Sequence, residues 1–69
     1  MELREVEDIV RSVLTHYGLG GTVGQVTLAE RDWHVEVIDA FNTKTTVIIP
    51  THTAQGVRRA IMGAFGVEG

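Results

Sequence analysis

The spacing of apolar side chains changes period twice within 69 residues, and this restricts the fold more than any other property of the chain. Leu3, Val6, Val10, Val13 and Tyr17 recur at three- and four-residue steps, the stripe of a helix that buries one side. Arg4, Asp8, Arg11 and Thr15 lie opposite. Then the period falls to two. Trp33, Val35 and Val37 point one way and His34, Glu36 and Ile38 the other, the alternation of a half-buried strand. After Pro50 the helical period returns with Ala54, Val57, Ile61, Ala64 and Phe65.

Punctuation residues bound the elements. A first helix is predicted over residues 2–17, with Glu2, Glu5, Glu7 and Asp8 in its early turns, where the helix dipole favours negative charge. Gly18 stops it, and Leu19 folds back on the last turn. Val23 to Glu30 reads as a strand, with Val26 and Leu28 on one face and Gln25 and Thr27 on the other. Arg31-Asp32 is the expected hairpin turn, although it lacks the glycine such turns prefer. Trp33 to Ala40 is the second strand, Asn42-Thr43-Lys44 a second turn, and Thr45 to Ile49 a β-branched third strand that Pro50 ends. Thr51 or Thr53 caps the second helix, Gly66 stops it, and the tail Val67-Glu68-Gly69 is expected to fray.

Burial turns this order into an architecture. A three-stranded meander has one apolar face to hide, and each helix has one stripe. The expected fold is α+β, in the order α-β-β-β-α, with both helices on one face of an antiparallel sheet. Residues 1–69 form a single domain in this reading. A chain this short hides only roughly 60% of its unfolded surface, so stability is marginal without a staple. Cysteine is absent, which removes disulfides and cysteine zinc sites and suits a reducing compartment. Self-association is the remaining staple.

Chemistry-bearing residues do not cluster. His16, His34 and His52 fall in three elements, and no pair has metal-ligand spacing. Ser12 lies on the polar side of the first helix without a nucleophile elbow. Gly18-Leu19-Gly20-Gly21 follows a helix and precedes a strand, the reverse of a nucleotide-binding loop. Glu36 and Asp39 face opposite sides of their strand, whereas His34 and Glu36 share the outward one. The expectation is a protein that is not an enzyme and needs no cofactor or metal. No apolar run approaches a membrane span, and the acidic N-terminus lacks the apolar stretch of a signal peptide. A soluble, cytoplasmic protein without membrane contact is expected.

Two surfaces are candidates for contact. The outward sheet face collects Gln25, Thr27, His34, Glu36, Ile38, Thr46 and Ile48, and Ile38 with Ile48 would make a small apolar patch for dimerisation. On the second helix Gly56, Arg59 and Gly63 fall away from the apolar stripe. Glycines there cost roughly 1 kcal/mol each relative to alanine, so close approach of a partner is one reason to keep them. Charge adds another feature. Formal net charge is −3, yet residues 40–67 carry no acid and hold Lys44, His52, Arg58 and Arg59, a candidate anion or nucleic-acid surface.

The order helix, three strands, helix is similar to that of double-stranded RNA-binding domains. The resemblance implies RNA contacts from helix 1, the first hairpin loop and the start of helix 2. The first hairpin here carries Glu30-Arg31-Asp32 where that family has a glycine-proline and histidine signature. Helix 2 starts Thr51-His52-Thr53-Ala54-Gln55-Gly56 where the family has adjacent lysines, so no RNA-binding residue carries over. The leading expectation is a regulatory or protein-binding module that forms a homodimer. The alternative is a nucleic-acid binder using the basic face of helix 2.

Overall fold

The computed structural model describes residues 1–67. The expectation for the tail falls, at Glu68 and Gly69, outside them. Two helices and three strands follow one another as α1 (Leu3–His16), β1 (Thr22–Ala29), β2 (Asp32–Ile38), β3 (Lys44–Ile49) and α2 (Ala54–Ala64). The sheet is antiparallel in the order β1-β2-β3. Helix α1 packs on β1, α2 packs on β3, and the helices touch each other. This is the expected α-β-β-β-α layout, with the opposite sheet face left open.

Valine dominates the core. Eight of its twelve buried apolar residues are valines, joined by Leu14, Trp33, Ile49 and Ile61. Valine suits the strands but is a modest helix former, so α1, with Val6, Val10 and Val13, depends on packing rather than propensity. Each buried side chain contributes about 1.5–3 kcal/mol. The helical stripe differs from its sequence reading at two positions. Leu14 is buried, and its Cδ1 lies 3.7 Å from where a side chain on Gly21 would begin. Leu3, at the uncovered first turn, is 44% exposed.

Both helices end alike. The Gly18 amide donates to the Thr15 carbonyl and the Leu19 amide to that of Leu14, while Gly18 takes φ +62°. The Gly66 amide donates to Gly63 and that of Val67 to Met62. In each case a left-handed glycine lets the chain satisfy carbonyls the helix leaves open, and after α1 Leu19 packs back against the core.

The turns sit differently from their sequence readings. The first hairpin turns at Glu30-Arg31, because Ala29 pairs with Asp32 and draws Asp32 into β2. Glu30 takes φ +60° there. The second loop spans Asp39 to Thr43, and Lys44 belongs to β3. In β1 the register slips between Val23 and Val26, so Gly24 and Gln25 together oppose Glu36. This bulge removes Gln25 from simple alternation.

Candidate functional site

Pairing decides what the open sheet face presents. Thr27, His34 and Ile48 form one row across the three strands. Glu36 pairs with Thr46 in the next, and Ile38 with Lys44 in the last. Ile38 and Ile48 therefore lie two rows apart, about 13 Å along the strands at roughly 3.3 Å per residue. Between them Lys44 Nζ meets Glu36 Oε1 at 3.2 Å. The two isoleucines, expected to adjoin, do not form one apolar patch. Ile48 is 56% exposed, whereas Ile38 is half-buried beside Gly24. His34 and Glu36 do share this face, as the alternation requires, and Glu36 is engaged by Lys44.

The glycines of α2 have separate explanations. Thr53 is the helix cap, its Oγ1 accepting from the Gly56 amide at 3.0 Å. A side chain on Gly56 would meet Thr51 Oγ1, Thr51 Cβ and Thr53 Oγ1, all within 2.8 Å. The close approach that position 56 requires comes from the chain's own cap. Gly63 has nothing within 4 Å and lies open, as do Arg58 and Arg59.

The candidate cations do not converge. Lys44 sits on the open sheet face and is paired with Glu36. Arg58 and Arg59 lie on the helical layer behind it. His52 is at the first hairpin, where Nε2 donates to the Arg31 carbonyl at 2.7 Å and the ring lies 5.7 Å from that of Trp33. A carbonyl only accepts, so this bond needs the proton on Nε2. Trp33 Nε1 and Thr51 Oγ1 are buried without a hydrogen-bond partner.

The most exposed large apolar side chain escaped the sequence reading. Phe41 is 90% exposed at the tip of the second loop. Asp39 shapes that loop. Its Oδ1 accepts from the amides of Phe41 and Thr43, both at 2.9 Å. Its own amide donates to the Thr43 carbonyl, and its carbonyl accepts from the Asn42 amide. Asn42 takes φ +63°, a conformation asparagine tolerates better than most residues. The available signal was an aromatic placed between Asp39 and Asn42, two turn-forming residues, where neither strand can bury it.

At the same end, a groove between α1 and β1 is lined by Arg11, Thr15, Gly21, Thr22 and Val23. Arg11 is anchored by an ion pair with Glu7 at 2.6 Å. Among the described residues, no group of three or more His, Cys, Asp or Glu could hold a metal ion, and no helix is long and apolar enough to cross a membrane. Compared with known proteins, the chain matches no family model, no curated protein and no solved structure.

Proposed function

We propose that this chain is a non-enzymatic protein-binding module that self-associates, with the Asp39–Thr43 loop as its contact point. One observation carries the reading: Phe41 stands 90% exposed on a loop held by four hydrogen bonds through Asp39. A phenyl ring gains by leaving water, and aromatic anchors supply much of the energy of protein interfaces. A fixed loop loses little further freedom on binding, so more of that gain reaches affinity. The valine-rich core gives the chain a reason to gain stability from a partner. The absence of cysteine suits a reducing compartment such as the cytoplasm.

Nucleic-acid binding through Lys44, His52, Arg58 and Arg59 has weaker support. Phosphate affinity grows with cations gathered on one surface, and these lie on two layers, one of them paired. The deciding measurement is molar mass by light scattering across a wide concentration range. The expected result is a rise from 7.5 kDa toward twice that value. A constant 7.5 kDa would overturn self-association.

A further inference from the structure

We infer that the outer side of the helical layer is a face on which two copies of this chain pair, α1 of each lying along α2 of the other with Asp8 opposite the partner's Arg59. The inference rests on the reading of the chain as a self-associating module and adds to its loop a second, charge-matched contact.

The two helices run the same way. Thr22, just after α1, pairs with Ile38 beside the second loop, whereas Ile49, just before α2, pairs with Trp33 beside the first hairpin. Helix α1 packs on β1 and α2 on β3, so both begin at the hairpin end and finish at the other. Their outermost residues fall level. Asp8 lies midway between buried Val6 and Val10, and Arg59 midway between buried Val57 and Ile61. At about 3.6 residues per turn, both therefore point away from the core, and both are exposed. Asp8 is the fifth residue after Leu3, and Arg59 is the fifth after Ala54.

Charge selects the partner and its orientation. With its cap Glu2, α1 holds four carboxylates against two arginines, while α2 holds two arginines and no acid. Arg11 is occupied by Glu7, and among the described residues Asp8, Arg58 and Arg59 make no ion pair within the chain. A two-fold axis running along the helices lays the acidic helix on the basic one twice. An axis across them would lay like on like. In the same register Arg4 meets Gln55 and Arg11 meets Met62, so no cation faces a cation. Ser12 then meets Gly63, which is exposed and has nothing of its own chain within 4 Å. A glycine there gives up helix stability without serving any contact inside the chain, and it lets a second helix approach closely.

Such an isologous contact closes at two chains. A face about 20 Å long and about 20 Å wide buries less than the roughly 800 Å² per partner of a standard interface, so the helices act beside the Phe41 loop and not in place of it. Association is expected at micromolar and higher concentrations, weakening with salt.

The test is a charge exchange read by light scattering over a concentration series. Asp8→Arg and Arg59→Glu are each measured alone and then as an equimolar mixture, in which both Asp8–Arg59 contacts are again between opposite charges. Arg31→Glu makes the same change in net charge at the hairpin, and its mixture with Asp8→Arg is the control. The inference expects a wild-type dimer, association at least tenfold weaker in Asp8→Arg and in Arg59→Glu, and recovery to within about threefold of wild type in their mixture but not in the control. A dimer that neither reversal weakens overturns the helical contact while keeping self-association. Weakening without recovery, or equal recovery in the control, overturns the Asp8–Arg59 register. A wild type that stays monomeric throughout overturns both readings.

Discussion

Thr51 occupies the space that a side chain at Gly56 would need: its Oγ1 and Cβ stand where the first carbon of that side chain would sit. Seven residues along α2, Gly63 has nothing within 4 Å. The same substitution should thus act in opposite directions. Gly63→Ala is expected to stabilise by about 0.5–1 kcal/mol through helix propensity. Gly56→Ala is expected to destabilise by about 1–3 kcal/mol, because overpacking against Thr51 and the Thr53 cap outweighs the same propensity gain. Urea denaturation of both variants checks this, and stabilisation by Gly56→Ala would refute the packing account.

The two threonines before α2 should also differ. Thr53 caps the helix through its Oγ1, so Thr53→Ala is expected to cost about 1 kcal/mol. Thr51 Oγ1 is buried without a partner. Thr51→Val replaces that hydroxyl by a methyl of similar size and should be neutral or stabilising by up to about 1 kcal/mol. A large loss of thermal stability in Thr51→Val would mean that its hydroxyl makes a bond essential to the fold.

Glu30 holds φ +60° in the first hairpin turn, where a side chain is sterically disfavoured. Glu30→Gly relieves this at some cost in unfolded-state entropy. A net stabilisation of about 0.5–1 kcal/mol is expected. Guanidinium denaturation measures it, and destabilisation beyond 1 kcal/mol would show that the Glu30 side chain contributes what its backbone loses.

Asp39→Ala removes the acceptor shared by the Phe41 and Thr43 amides. The expected loss is about 1–2 kcal/mol, with greater backbone motion confined to the loop. Backbone ¹⁵N relaxation would show it as lowered order parameters at Phe41 and Asn42. Unchanged order parameters would mean that the two strands alone hold the loop.

Phe41→Ser should leave the stability of the dilute monomer within about 0.5 kcal/mol of wild type, since the ring is 90% exposed. It should also remove any dependence of Tm on protein concentration. A large loss of dilute-monomer stability would show that the ring packs on its own chain and is not free for a partner.

Sequence alone determined the element order, the centres of both helical stripes at Val6, Val10, Val13, Val57 and Ile61, and the faces of β2, because these follow from local periods that a chain carries with it; the stripe ends at Leu3, Ala54 and Ala64 are exposed, since no neighbouring element covers them. Gly18 and Gly66 likewise read as stops because a left-handed residue is a local requirement. Register and approach belong to the tertiary structure. Ile38 and Ile48 are on the same face by parity, but only the pairing of Ile38 with Lys44 and of Ile48 with His34 places them two rows apart. Lys44, His52, Arg58 and Arg59 are near in sequence, yet folding sends Lys44 to the open sheet face and the arginines to the helical layer. Gly56 looks like an exposed helical glycine until the strand-to-helix connection brings Thr51 against it. Phe41 reads as one more apolar residue until Asp39 closes the loop beneath it and no strand remains to cover the ring. Each of these outcomes depends on contacts between residues whose relative positions no local period specifies.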